Sequence, residues 1–140
     1  MIAYAESSAV LAWLLGEPGG RAVRGALRSA ERVVASTLTA VECARAVARG
    51  VATRRLAPAD ELVALRLLDV ARRSWVTREL TGPVLERAAA RFPHEPVRTL
   101  DAFHLGTATL FHEALGGVTM ISLDDRIRDN ARALGMEVRP

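Results

Sequence analysis

The sequence alternates short apolar segments with longer helical ones, and this alternation is the strongest constraint on its fold. The short segments predict strands at Met1–Ala5, Val33–Ala35, Trp75–Thr77, Val118–Leu123 and Met136–Val138. The helical segments are predicted at Ala9–Leu15, Arg21–Ala30, 37–50, Ala59–Arg73, Gly82–Phe92, Thr99–Leu115 and 124–134. Strands separated by helices favour an α/β fold, in which helices cover a parallel sheet. In such sheets, ligands bind in the crevice beyond the carboxyl ends of the strands.

Small polar side chains precede several helical segments and predict their N-caps. A side-chain oxygen at this position accepts a hydrogen bond from a free amide of the first turn. The candidates are Ser7 or Ser8, Thr37 or Thr39, and Asp124 or Asp125. Each candidate follows a predicted strand, so these helix starts are expected at the carboxyl edge of the sheet.

The composition predicts one domain spanning residues 1–140. Hydrophobic residues make up 50% of the chain, which argues against disorder. Cys43 is the only cysteine, so an internal disulfide and a thiolate zinc site are excluded, and we expect it in the core. No basic segment precedes the first apolar run, and Ala9–Leu15 is far shorter than the roughly 20 residues of a membrane span. We therefore expect a cytoplasmic protein that does not enter membranes.

All 19 basic residues are arginines, which gives a net charge of +3 and a pI of about 10.3. A guanidinium group suits phosphate, because its planar fork can bind two oxygens. Arg21, Arg24, Arg28 and Arg32 fall at helical spacing, and we interpret them as a solvated helix face. The charge permits nucleic acid as a partner without establishing it.

Four acidic residues lie where strands are predicted to end or helices to begin. Glu6 follows the first strand, and Asp124 follows the Val118–Leu123 strand. Glu42 lies one turn inside its helix, and Asp101 lies in the first turn of another. All four stand in apolar surroundings, where ionised carboxylates are rare unless a partner is present. If they converge, either protons or a cation must balance the charge. A hard ion such as Mg²⁺ takes oxygen ligands and can activate water against a phosphodiester.

Each carboxylate also has a structural interpretation that needs no metal. Asp124 and Asp125 are good helix caps, and Asp101 is favoured near a helix N-terminus by the helix dipole. Glu42 can pair with Arg45 one turn away. Spacing alone leaves both interpretations open.

Four segments together resemble the PIN-domain toxins of the VapC family, in the family's order and over nearly the whole chain. The first is Met1-Ile2-Ala3-Tyr4-Ala5-Glu6-Ser7-Ser8-Ala9-Val10, and the second is Ser36-Thr37-Leu38-Thr39-Ala40-Val41-Glu42. The third and most specific is Arg98-Thr99-Leu100-Asp101-Ala102-Phe103-His104-Leu105. The fourth is Ser122-Leu123-Asp124-Asp125-Arg126-Ile127, followed by Ala133-Leu134-Gly135-Met136-Glu137-Val138.

The resemblance implies a PIN-like three-layer α/β/α fold with a short parallel central sheet, and a Mg²⁺-dependent endoribonuclease in which Mn²⁺ can replace Mg²⁺. By motif, the metal and catalytic residues are Glu6, Glu42, Asp101 and Asp124, and the Ser8 hydroxyl orients a carboxylate or binds phosphate. Metal-activated water then attacks the RNA phosphodiester in line, leaving a 5′-phosphate and a 3′-hydroxyl. The resemblance also implies neutralisation by a cognate antitoxin and a homodimer.

The chain departs from the family at Glu6, where aspartate is usual. The extra methylene moves the carboxylate outward by about 1 Å, and Mg²⁺ is strict about its octahedral geometry. A catalytically impaired PIN scaffold that binds RNA or a partner protein is therefore the main alternative. An α/β hydrolase with an aspartyl nucleophile is a weaker alternative, because the first strand lacks the paired Asp-x-Asp it needs.

The remaining notable residues are predicted to have structural rather than catalytic roles. Asp125 is predicted as a cap rather than an outer ligand, and His104 as a satisfied, partly buried histidine. Trp13 is predicted to pack or to face a partner, and Phe103 and Phe111 to lie in the core.

Overall fold

A parallel sheet forms the centre of the protein in a computed structural model that describes residues 1–140. Its strands are β1 (Ile2–Ala5), β2 (Arg32–Ser36), β3 (Val76–Arg78), β4 (Thr119–Ile121) and β5 (Glu137–Arg139). The helices are α1 (Ser7–Leu15), α2 (Gly20–Ser29), α3 (Thr37–Ala52), α4 (Pro58–Arg72), α5 (Gly82–Ala89), α6 (Thr99–Leu115) and α7 (Asp125–Ala133). The strand order is β3-β2-β1-β4-β5 and every pairing is parallel, which confirms the predicted architecture.

The central strand, β1, sets the position of the candidate site. Ala3 pairs with Val33 of β2 on one side and with Thr119 of β4 on the other. Because these strands run in the same direction, their carboxyl ends meet at one edge of the sheet. The residues that follow β1, β2 and β4 therefore start at neighbouring points of that edge.

Two apolar layers cover the two faces of the sheet. On one face, a cluster around Tyr4, Leu105 and Ile127 packs the sheet against α6 and α7. On the other face, a cluster around Ala5 and Val47 packs it against α1, α3 and α4. Side chains alternate between the faces of a strand, so Tyr4 and Ala5 enter different layers. Complete burial of a side chain such as Leu105 contributes about 2 kcal/mol to folding.

A glycine allows α1 and α2 to meet closely after a tight connection. A Cβ on Gly20 would lie 2.4 Å from the carbonyl oxygen of Ala12, so no larger residue fits there without a backbone shift. Gly16 ends α1 with a φ of 65°, in the left-handed region that favours glycine. These two positions explain why the Gly16–Gly20 segment turns the chain so sharply.

The predicted caps at Ser7 or Ser8 and at Thr37 or Thr39 were wrong by one residue or more. Glu6 caps α1, because its carboxylate accepts from the Ser8 amide, and Ser36 caps α3 by accepting from the Leu38 amide. In both cases the strand runs directly into the helix, and its last extended residue or the next one takes the capping position.

The other boundaries agree with the predictions to within a few residues. Helix α6 covers Thr99–Leu115 as predicted. Helix α5 ends at Ala89 rather than at Phe92, because Ala90 is extended and the Phe92 amide bonds the Glu95 carboxylate instead. None of the helices combines the length and apolar character that crossing a membrane requires.

Candidate functional site

The four candidate carboxylates come from four separate elements around the carboxyl edge of the sheet. Glu6 directly follows β1, and Asp124 caps α7 beyond β4. Glu42 lies in α3, which starts where β2 ends, and Asp101 lies in the first turn of α6. Residues separated by up to 118 positions in the sequence thus belong to elements that meet at or near one edge of the sheet.

The charge environment of Asp101 shows that these side chains influence one another. Burial raises the pKa of Asp101, and the negative charges of Asp124, Glu6 and Glu42 raise it further, while His104 lowers it in part. No hydrogen bond to the Asp101 carboxylate offsets these effects. The site therefore contains a partly buried carboxylate that repels its neighbours and has no donor of its own.

The Glu6 carboxylate is buried, with 4% of the residue exposed, and is held by three donors. Its Oε1 accepts from the Ser8 amide at 2.9 Å, and its Oε2 accepts from the Ser122 hydroxyl at 2.7 Å and from the Ser8 hydroxyl. The Ser8 Oγ in turn accepts from the Leu123 amide at 3.1 Å. Glu6 therefore joins the start of α1 to the end of β4.

The Glu42 carboxylate is held by two donors on different elements. Its Oε1 lies 2.5 Å from Nε2 of His104 and accepts from the Ser7 hydroxyl at 3.0 Å. Burial acts to raise the pKa of Glu42, but the hydrogen bond and charge of His104 outweigh it, with help from Ser7, and the net pKa is lowered. Glu42 is therefore ionised at neutral pH.

His104 and Glu42 differ from their predicted descriptions. His104 has partners at both ring nitrogens, as predicted, but it is 1% exposed rather than partly buried and contacts a candidate site residue directly. Glu42 pairs with His104 and not with Arg45, because α6 brings the imidazole against α3. The other ring nitrogen, Nδ1, lies 3.0 Å from the hydroxyl of Tyr4, which is fully buried. Burial, and next the charge of Glu6, raise the pKa of Tyr4 well above its ordinary value.

Asp124 caps α7, and the prediction of Asp125 as the cap was wrong. The Oδ1 of Asp124 accepts from the amides of Arg126 and Ile127 at 2.8 and 3.3 Å. The Asp125 side chain is 97% exposed and lies 4.0 Å from Arg128. Asp125 is the first residue inside the helix, so its side chain points to solvent while the preceding residue reaches the free amides.

The donor set suits a hard cation, although the side chains do not form a ready cluster. No three histidine, cysteine, aspartate or glutamate side chains are arranged to hold a metal ion as they stand. However, Oε2 of Glu42 and Oδ2 of Asp124 accept no hydrogen bond, and the Asp101 carboxylate accepts none at either oxygen. Oxygen ligands of this kind are those that Mg²⁺ and Mn²⁺ prefer.

Of the remaining predictions, most agree with the structure and one does not. Cys43 is in the core, where burial raises the pKa of its thiol to about 12. Trp13 packs against the apolar layers, and Phe111 lies in the core as predicted. Phe103 is only half-buried and belongs to no core cluster, so that prediction was wrong. Arg21, Arg24 and Arg28 form an exposed face of α2, as the solvated-helix interpretation expects, and Arg32 is exposed at the start of β2.

Three further residues around the carboxylates were not predicted as site residues. Ser7 and Ser122 donate to Glu42 and Glu6, and Tyr4 contacts His104. The sequence presents Ser7 as a cap candidate and as part of the first family segment, and Ser122 as part of the fourth segment, without marking either as a partner of a carboxylate. Tyr4 has the pattern of any buried strand residue, so nothing in the sequence marks it out.

Comparisons with known proteins agree with the fold. The family model of the PIN domain matches residues 3–133. Ribonuclease VapC46 of Mycobacterium tuberculosis is 37% identical over 135 residues, which cover 96% of this chain and 94% of the relative. Ribonuclease VapC35 of the same species is 31% identical over 137 residues, covering 96% and 93%.

Two solved structures share the fold at low sequence identity. The structure of FitAB bound to the IR36 DNA fragment matches with a TM-score of 0.65 at 17% identity, over 99% of this chain and 93% of the other. PAE2754 from Pyrobaculum aerophilum matches with a TM-score of 0.62 at 18% identity, over 98% and 87%. The fold, the family model and the curated relatives agree, and this chain belongs to the PIN-domain family, among its VapC members.

Proposed function

We propose that this protein is a metal-dependent endoribonuclease that acts as the toxin of a toxin–antitoxin pair. The observation that carries the proposal is the gathering of four carboxylates at the carboxyl edge of the sheet, where Asp101 is repelled by its neighbours and has no hydrogen-bond donor. A bound cation would relieve this repulsion. The relatives VapC46 and VapC35 are named ribonucleases, which supports RNA as the substrate.

In this proposal, Asp101 and Asp124 would hold Mg²⁺ or Mn²⁺ together with Glu6 and Glu42. A bound metal would supply Lewis acidity and would lower the pKa of a water molecule that attacks the phosphodiester. The Ser8 hydroxyl orients the Glu6 carboxylate by donating to Oε2. His104 and Ser7 occupy Oε1 of Glu42, which leaves Oε2 for the ligand.

The reaction in this proposal is hydrolysis by in-line attack, which leaves a 5′-phosphate and a 3′-hydroxyl. The high arginine content suits binding of the RNA backbone, because guanidinium groups recognise phosphate. The protein acts in the cytoplasm, where a cognate antitoxin neutralises it. It forms a homodimer, and elution as a monomer at micromolar concentration would contradict that part of the proposal.

The test is to incubate the antitoxin-free protein with total bacterial RNA in Mg²⁺, in Mn²⁺ and in chelator. Asp101→Asn removes the central charge with little change in shape, and Asp125→Asn is the matched control because its side chain is 97% exposed. We expect discrete cleavage that requires metal, is lost in Asp101→Asn and is retained in Asp125→Asn. Cleavage that persists in chelator or in Asp101→Asn would contradict the proposal.

The burial of Glu6 favours a second candidate, an impaired PIN scaffold that binds RNA or a partner. Three donors already occupy the Glu6 carboxylate, which leaves little capacity for a metal ion. Titration with Mn²⁺ separates the candidates, since the scaffold binds none at millimolar concentration. If Glu6→Asp then restored metal binding and cleavage, the longer side chain would be the cause of the loss.

A further inference from the structure

We propose that His104 is a positioning residue, which holds the Glu42 carboxylate in place through a hydrogen bond from Nε2 while the Tyr4 hydroxyl holds the ring at Nδ1. The inference rests on the proposed function for the role of Glu42 itself. His104 is buried and lies three residues after Asp101 on the same helix. In this proposal it joins two parts of the site.

Both ring nitrogens of His104 have partners, and the residue itself is buried. Nε2 lies 2.5 Å from Oε1 of Glu42 and 2.9 Å from the hydroxyl oxygen of Ser7. Nδ1 lies 3.0 Å from the Tyr4 hydroxyl, and the two rings meet edge to face with centroids 6.1 Å apart. With 1% of the residue exposed, water cannot replace either partner.

The chemistry of these partners determines where the proton lies. An ionised carboxylate can only accept hydrogen bonds, so the short contact with Glu42 requires a proton on Nε2. The Tyr4 hydroxyl can donate a hydrogen bond to Nδ1 or accept one from it, so it is a partner of the ring whether or not Nδ1 carries a proton. The two hydrogen bonds together fix the orientation of the ring between Tyr4 and Glu42.

This arrangement constrains the position of Glu42 relative to Asp101, and both are proposed metal ligands. Glu42 is on α3 and His104 is on α6, so the hydrogen bond ties the two helices together at the carboxyl edge. Asp101 lies one turn before His104 on α6. The imidazole therefore sets the position of Glu42 relative to Asp101, and it holds Oε1 so that Oε2 is presented to the ligand.

The first test measures the ring directly in the metal-free protein. Long-range ¹H–¹⁵N NMR spectra of the three histidines distinguish a protonated Nε2 from a protonated Nδ1, and His104→Gln identifies the His104 signals. We expect a proton on Nε2 of His104 in the wild type, whether or not Nδ1 is also protonated. A ring protonated on Nδ1 alone would overturn the proposal.

The second test measures Mn²⁺ affinity by calorimetry in a matched set of variants. His104→Leu removes the donor, whereas His104→Gln keeps an amide N–H that can reach Glu42. His112 lies on the same helix and bonds the Val118 amide rather than a candidate site residue, so His112→Leu and His112→Gln are the controls. Loss of a group that supports a metal ligand typically weakens metal affinity by about 10-fold to 100-fold.

We expect that weakening in His104→Leu, substantial recovery in His104→Gln, and unchanged affinity in both His112 variants. Equal affinity in all variants would overturn the positioning role. If His104→Leu does not fold, the comparison of Tyr4→Phe and His104→Gln with the wild type decides the same question. If the wild type itself binds no Mn²⁺, the proposed function fails, and the NMR measurement of the proton on Nε2 alone decides the proposal for His104.

Discussion

The candidate site contains two kinds of carboxylate, and they differ in how their charge is balanced. Glu6 and Glu42 are held by hydroxyl, amide and imidazole donors from other elements. Asp101 has no donor and lies in the field of three other negative charges. Hydrogen bonds favour an ionised carboxylate, and like charges disfavour it. The two glutamates are therefore stable parts of the metal-free fold, and Asp101 is the position that gains most from a cation.

The difference implies that the two groups contribute to stability in opposite directions. Removing a glutamate leaves donors without an acceptor inside the protein, and such groups are costly. Removing the charge of Asp101 relieves repulsion and leaves no partner behind. The predictions below test this contrast, starting with the change that should have the largest effect.

We expect Glu6→Ala to reduce the free energy of unfolding by about 3 kcal/mol, since it removes the cap of α1 and takes away the acceptor to which the Ser8 and Ser122 hydroxyls donate. Urea unfolding followed by circular dichroism measures the loss. Glu17→Ala is the control, because Glu17 is exposed and its removal should change stability by no more than about 0.5 kcal/mol. Equal stabilities of the two variants would show that the donors around Glu6 find other partners.

A divalent cation should stabilise the protein through Asp101. At a Mn²⁺ concentration 100 times its Kd, we expect the free energy of unfolding to rise by about 2.7 kcal/mol in the wild type. The rise should be absent in Asp101→Asn and present in Asp125→Asn, as measured by thermal unfolding with and without chelator. A rise of the same size in Asp101→Asn would place the cation elsewhere on the protein.

The fold was largely predictable because its determinants are local. Strands β1 and β2 contain short apolar runs, and β3 and β5 lie within one residue of an apolar segment. Helices follow from apolar periodicity and nearby turns, as in Thr99–Leu115. Strand order and register are long-range properties. The sequence pattern indicated a parallel sheet but could not place β1 between β2 and β4.

The candidate acidic residues were found because family motifs surround them, whereas their partners were missed. The hydrogen bond between Glu42 and His104 joins residues 62 positions apart, and that between Glu6 and Ser122 joins residues 116 positions apart. No local pattern records such contacts. Arg45 was a plausible partner for Glu42 by spacing, but the tertiary packing of α6 on α3 brought His104 closer.

Asp124 combines features of both kinds of carboxylate, and its two roles can be separated. Asp124→Ala should cost about 1 kcal/mol because α7 loses its cap, whereas Asp124→Asn should cost little, since asparagine caps as well as aspartate. Both substitutions should weaken metal binding, because neither retains the charge. Asp125→Ala is the control for stability. A loss of stability in Asp124→Asn equal to that in Asp124→Ala would show that the charge, rather than the cap, stabilises α7.

The smallest expected effect is a change in the free energy of unfolding, which Asp101→Asn should raise and Glu42→Gln should lower. In the metal-free wild type, burial and neighbouring charges raise the folded pKa of Asp101, so its destabilising contribution appears as the pH rises above 3.8 and is complete above the folded pKa. Burial acts to raise the folded pKa of Glu42, but His104 outweighs burial and the net pKa is lowered. The stabilising contribution of Glu42 is therefore complete above pH 4.5 and is lost as the pH falls through the folded pKa.

At neutral pH and without metal, Asp101→Asn should therefore be more stable than the wild type, and Glu42→Gln less stable, each by about 0.5 kcal/mol because solvent screens partly exposed charges. Both differences should disappear at a pH below both folded pKa values, as measured by chemical unfolding across the acid range. If both substitutions changed the free energy of unfolding in the same direction at neutral pH, the proposed contrast between Asp101 and Glu42 would be wrong. Opposite signs would show that the protein holds Glu42 in place by its own hydrogen bonds and leaves the charge of Asp101 to be balanced by a ligand.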